Sequence, residues 1–218
     1  MSTVQIQPAI NIIPAPTEPP PPQLTLQDEL MTLARETARD CGVIVSRAAG
    51  KRPMPETLWV TLSLVYAPRK SQLERALLVS EKPSVTRYFT EALKWKKLHE
   101  EKAKKLATLA AKLKCPAPIA KADAAFQDYW KKISVGNELE FVGALWILES
   151  VLQPGHLLEE ISTATRLLSW DGETEENQIS YLGDLAREFA TLYGERILAG
   201  ARQSSYYLKS LFGAWETP

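Results

Sequence analysis

Few side chains in this sequence can do acid–base, nucleophilic or metal chemistry: two histidines, His99 and His156, and two cysteines, Cys41 and Cys115. His99 lies in Lys-Lys-Leu-His-Glu-Glu, a charged stretch that reads as solvated, and His156 follows Pro154-Gly155 at a helix start. Neither belongs to an HExxH pattern or is spaced to join a cysteine around zinc. Cys41 precedes Gly42 at a helix end, where no helix N-terminus lowers its pKa, and Cys115 follows a lysine-rich turn that favours the thiolate. Both read as inert thiols. Two are too few for a disulfide framework, so a reducing, cytoplasmic compartment is expected.

Phosphate and acyl-transfer chemistry lack their frames. The ten glycines are scattered, and none forms GxxxxGK[ST], GxGxxG or the GxSxG elbow. The carboxylate pairs Glu100-Glu101, Glu159-Glu160 and Glu175-Glu176 are adjacent on helices, so their side chains diverge by about 100° instead of converging on a substrate. The paired Glu-x-x-His of a di-iron bundle is missing. The expectation is a protein that is not an enzyme, with no catalytic residue, no metal and no cofactor.

The elements that would position any site are helical. Thr25 and Asp28 form a capping pair ahead of Leu26, Leu30 and Leu33, opening a helix to about Asp40 that Gly42 weakens. Pro55 suits the first turn of a segment to Tyr66; its residues 57–66 alternate like a strand, yet no second strand exists to pair with, so context favours helix. Ser71 and Glu74 form a capping box for a helix to about Ser80. Pro83 then starts a long helix, Ser84 to about Lys114, which Pro116 and Pro118 stop. Ala120 to Ile133 places Phe126, Trp130 and Ile133 on one face. Asn137 and Glu140 cap the helix from Glu138 to Leu152, whose apolar residues face more than one side, so it belongs at the centre of a bundle. Leu157 to Leu168 reads as a further helix and Trp170-Asp171-Gly172 as the turn after it. Glu175 to Ala199 carries a stripe of Ile179, Leu182, Ala186, Phe189, Tyr193 and Ile197. Gly200 weakens that helix, and a separate one follows over Ala201–Phe212. The fold class is therefore all-α: an irregular bundle of seven to nine helices, one domain over 24–218.

Residues 1–23 hold seven of the fifteen prolines. Proline fixes φ and lacks the N–H donor, so the segment reads as a disordered, extended tail. Val4, Ile6, Ile10, Ile12 and Ile13 make it either a leader or a short docking segment. The start lacks the basic n-region of a signal peptide, and no run approaches the ~18 apolar residues of a membrane span. No membrane insertion is expected.

Two surfaces stand out for binding. Net charge is zero, but Ser84–Lys132 holds 12 basic against 5 acidic residues and Ile133–Pro218 holds 5 against 13. Either the two regions neutralise each other or each meets its own partner. Lys94, Lys96, Lys97, Lys104 and Lys105 crowd one helix, with Trp95 among them. Such a helix could neutralise phosphates, but it is nearly arginine-free, and Glu91, Glu100 and Glu101 interrupt it. The C-terminal aromatics Tyr206, Tyr207 and Trp215 are the second surface, of the residue types found at interface hot spots.

In general make-up, a helical domain with a proline-rich leader and no catalytic set, the chain resembles small accessory proteins of mobile elements. Among these are the cytoplasmic fertility-inhibition proteins of conjugative plasmids. The likeness rests on size and character and carries no motif, so no residue role passes with it. It implies an inhibitor or accessory factor that occludes a larger protein partner, such as a conjugation machinery. A nucleic-acid-associated regulator using residues 94–114 is the alternative.

Overall fold

The computed structural model describes residues 25–49, 61, 63–65, 69–94, 100, 101, 104, 107, 108, 117–152 and 172–216. Among these the regular structure is all-helical, with six helices in chain order: α1 Leu26–Ala49, α2 Arg69–Val79, α3 Pro83–Lys94, α4 Ala117–Ile133, α5 Glu138–Val151 and α6 Gly172–Gly213. The tail 1–23 and the expected helix 157–168 lie outside the described residues. So does most of 95–114, although 100, 101, 104, 107 and 108 are helical. Thr61, Ser63, Leu64 and Val65 are helical as well, which decides for helix against strand at those positions.

Local signals set several helix ends. The Thr25 hydroxyl accepts from Asp28 N (3.2 Å), and the Asp28 carboxylate accepts from Thr25 N (3.1 Å), the reciprocal bonding of a capping box. Asn137 Oδ1 accepts from Leu139 N and Glu140 N, satisfying two of the free donors at the start of α5. Pro83 opens α3 as expected. Pro118 sits in the first turn of α4, where its missing N–H costs nothing.

Three sequence expectations are corrected. The helix expected from Ser71 begins at Arg69, so Ser71 lies inside the first turn and not ahead of it. α1 does not stop near Asp40: it runs 24 residues through a buried Gly42. Gly200 does not divide the C-terminal region either, because Glu175–Ala199 and Ala201–Phe212 belong to one 42-residue helix. That merger is one reason why six helices stand among the described residues where seven to nine were expected over the whole chain.

The core is built on α5, whose residues from Phe141 to Val151 are all buried. It packs most extensively on α6, which also receives α1 and α4, while α2 and α3 pack against each other. Where α5 crosses α6, glycine brings the backbones together. A Cβ on Gly143 would fall on the Ile197 carbonyl, and one on Gly200 on the Glu140 carbonyl. Intact helix on both sides shows that the close approach outweighs glycine's propensity cost of about 1 kcal/mol. Phe89, Phe126, Trp130 and Phe141 fill the space beside this crossing with tilted and edge-on rings, 5.5–5.9 Å between centroids.

Candidate protein-binding surfaces

The C-terminal aromatics separate into three roles. Trp215 folds back after α6 through a tight turn, with Trp215 N donating to Phe212 O (3.1 Å) and Glu216 N to Gly213 O (3.0 Å). Its ring is buried, packed with Ile119, Leu64 and Ala214, and its Nε1 donates to Thr61 Oγ1 at 2.6 Å. Trp215 is therefore a packing residue that ties the end of α6 to residues 61–65, not an exposed contact. Tyr207 is half-buried and stacks on Tyr129, with centroids 4.4 Å apart and planes 16° from parallel. Tyr206 alone projects outward, 65% exposed, and meets Tyr207 edge-on at 5.3 Å.

This aromatic ladder has a fixed base. The Tyr129 hydroxyl is buried and donates to Gly200 O at 3.2 Å, in the wall of the α5–α6 crossing. Burial, with lesser contributions from Glu140 and Tyr207, pushes its pKa far above the ordinary phenol value, so it stays a neutral donor. On α1, Thr37 Oγ1 donates to Leu33 O (2.7 Å); its single proton is thereby used, and Ser205 donates to Thr37 across 2.6 Å. Ser204 donates to Ala144 O at 3.1 Å. The segment of α6 that presents Tyr206 is thus held from three sides.

The lysine surface is less free than its composition suggests. Lys94 is exposed, but its Nζ lies 2.6 Å from Glu91 Oε1 one turn earlier. Lys104 is helical and exposed, and its carbonyl accepts from Thr108. Trp95, Lys96, Lys97 and Lys105 lie outside the described residues. Neutralisation is partly local, as at Lys132–Asp128 (2.6 Å), and partly between helices, as at Arg202–Glu29 (3.7 Å) and Lys209–Asp40 (3.4 Å).

A cleft that sequence reading missed opens where the end of α2, the α2–α3 link, the α4–α5 turn with the start of α5, and α6 meet. It has a volume of about 340 Å³ and is lined by Val79, Lys82, Gly136, Glu138, Tyr193 and Arg196, among others. Glu138 anchors it: Oε2 accepts from Ser80 Oγ (2.8 Å), Glu81 N (3.0 Å) and Lys82 N (3.2 Å). Lys82 Nζ lies 3.7 Å from Glu138 Oε1 and 4.9 Å above the Tyr193 ring, so both charges are engaged within the fold.

Cys41 of α1 is buried, and desolvation pushes its thiol up to about 12, which makes it a poor nucleophile. Cys115, His99 and His156 lie outside the described residues. Among the described residues no group of three or more His, Cys, Asp or Glu side chains is gathered as for a metal, and no helix is long and apolar enough to cross a membrane. In comparisons with known proteins, the chain matches no family model, no curated protein and no solved structure.

Proposed function

We propose that this chain is a non-enzymatic binding protein, an inhibitor or accessory factor that works by occluding a larger protein partner. A plasmid-borne inhibitor of a conjugation machinery is the class that fits its general character. The observation that supports the reading is Tyr206: a large side chain, 65% exposed, held edge-on to a stacked Tyr207–Tyr129 pair. An aromatic ring that is ordered before binding loses little entropy on association, which is how tyrosine becomes an interface hot spot. The nucleic-acid alternative is weakened by the engagement of Lys94 with Glu91.

The test is affinity capture from nuclease-treated native host lysate, comparing the full chain, a Tyr206→Ala variant and a form beginning at Gln23. One protein recovered stoichiometrically by the full chain and lost with Tyr206→Ala is the expected result. Recovery only from lysate not treated with nuclease would transfer the role to the lysine helix. Loss with the shortened form alone would transfer it to the tail.

A further inference from the structure

Tyr206 is the outer rung of a ladder whose inner rungs, Tyr207 and Tyr129, are fixed in the fold. The charges that flank it are already engaged. Arg202 lies 3.7 Å from Glu29 and 3.9 Å from Glu195, Lys209 lies 3.4 Å from Asp40, and Lys132 of α4 lies 2.6 Å from Asp128. What this stretch of α6 still offers is an aromatic ring and, one turn before it, the exposed Gln203 with amide protons to donate. Such a surface suits an uncharged ligand that brings rings and accepts hydrogen bonds. A polyproline II strand does both: its rings pack on aromatic side chains, and its carbonyls have no internal partner.

The chain carries a segment of that chemistry, joined to the fold close by. Six of the nine residues Pro14–Pro22 are proline, and Glu18 is the one charged side chain among residues 1–24. These residues precede α1, which starts beside α6: the Leu26 methyls stand 3.8 and 3.9 Å from where a Cβ on Gly194 would be. Further along, Thr37 meets Ser205 and Asp40 meets Lys209, so α1 and α6 run in the same direction. Tyr206 is twelve residues beyond Gly194, about 18 Å along the axis. It borders α1, because Arg202 before it and Lys209 after it both pair with α1 carboxylates. In polyproline II geometry Pro22 and Pro16 are about 19 Å apart. With Gln23 and Leu24 left to reverse the chain, Pro16 comes to the level of Tyr206.

We propose that the segment Pro14–Pro22 docks on Tyr206 of its own chain, prolines against the ring and carbonyls toward Gln203, and shields the ring until a partner displaces it. The proposal rests on reading Tyr206 as a partner contact and adds the regulation of that site. A short tether holds the segment at an effective concentration of about 1 mM, so a weak contact is enough to close it. The partner then binds with its affinity reduced by the fraction of chains that are open.

The test uses the full chain in solution by nuclear magnetic resonance. Overhauser contacts between the Tyr206 ring protons and proline ring protons are expected, and about tenfold dilution should leave them unchanged, as an intramolecular contact requires. A full-length variant with Pro14→Ser, Pro16→Ser, Pro19→Ser, Pro20→Ser, Pro21→Ser and Pro22→Ser should lose them, with amide shifts confined to 202–210 and circular dichroism of the helices unchanged. A synthetic peptide of residues 12–24, titrated into that variant, should restore the shifts with a Kd of about 1 mM or tighter. Tyr206→Ala in the same variant should abolish peptide binding, and Tyr206→Phe should retain it. Absence of the contacts, contacts that fade on dilution and so belong to a second copy, or no peptide binding by about 10 mM would overturn the proposal. The two readings of Tyr206 fail separately. If Tyr206→Ala loses the captured partner but the six-serine chain captures it no better than the unchanged chain, the shielding is wrong and the partner contact stands. If the Overhauser contacts are present and no capture depends on Tyr206, the docking stands and the partner contact is wrong.

Discussion

Gly200 of α6 rests on the main chain of Glu140 in α5: a side-chain carbon at Gly200 would fall on the Glu140 carbonyl oxygen and within 2.7 Å of its Cα. Gly143 makes the counterpart contact, within 3.1 Å of the Ile197 Cα. The central crossing is therefore backbone against backbone, and the aromatic residues beside it are placed by that distance.

Gly200→Ala is expected to destabilise the fold. Alanine favours a helix by about 1 kcal/mol over glycine, but the contacted atoms are main chain and cannot yield as a flexible side chain would. The helices must separate, an overpacking cost of about 1–3 kcal/mol or more. Gly194→Ala is the control: its nearest neighbours are the Leu26 methyls at 3.8 and 3.9 Å, ordinary contact, so the propensity gain should survive. Urea denaturation of the two variants should move in opposite directions. Stabilisation by Gly200→Ala, as by Gly194→Ala, would show that the crossing is not rigid.

How much of this was legible in the sequence depended on the range of the interaction. The capping at Thr25 and Asn137 could be read because donor, acceptor and spacing lie within four residues. The central place of α5 could be read because apolar residues occupy every side of it. The continuity of α1 through Gly42 and α6 through Gly200 could not, because glycine's local weakness is offset by packing partners remote in sequence. The cleft at Glu138 stayed hidden for the same reason: its lining comes from the end of α2, the α2–α3 link, the α4–α5 turn with the start of α5, and α6, which are remote from one another in sequence. Trp215 near the chain end invited a surface reading, whereas its position is fixed by Thr61, 154 residues away.

The N-terminal cap of α1 should titrate. The Asp28 carboxylate accepts from the Thr25 hydroxyl (2.6 Å) and from Thr25 N (3.1 Å), which holds its pKa below the ordinary value of 3.8. For a depressed carboxylate the stabilisation is present above the unfolded value and lost as pH falls through the folded one. Helicity of α1 should therefore decline between about pH 4 and pH 2, and Asp28→Asn should flatten that response. The group is solvent-exposed, so the effect belongs to helix fraying and not to global unfolding. Amide exchange at Glu29–Met31 that does not depend on pH beyond its chemical rate would contradict it.

Cys41 should be silent to thiol reagents in the native state. With its pKa pushed up to about 12 by burial, only about one thiol in ten thousand is ionised at pH 8, and the sulfur is enclosed as well. In a Cys115→Ser background, an aromatic disulfide reagent should modify Cys41 only at the rate at which the fold opens, and denaturant should release the full signal at once. Rapid native modification would place Cys41 at the surface and contradict the packing of α1 on α6.

The two adjacent tyrosines offer the sharpest separation of packing from binding. Tyr207 stacks on Tyr129 with centroids 4.4 Å apart, and such a pair contributes about 0.5–1.5 kcal/mol beyond the area it buries. Tyr207→Ala should therefore lower stability by at least about 1 kcal/mol, seen as an earlier urea midpoint. Tyr206→Ala removes a ring that is 65% exposed, and its effect on stability should stay within about 0.5 kcal/mol. Its effect on capture of the partner should be the larger of the two, because an ordered exposed aromatic acts when a second surface covers it. If Tyr206→Ala proved as destabilising as Tyr207→Ala, with capture unaltered, the ring would belong to the fold and the aromatic ladder would be no part of an interface.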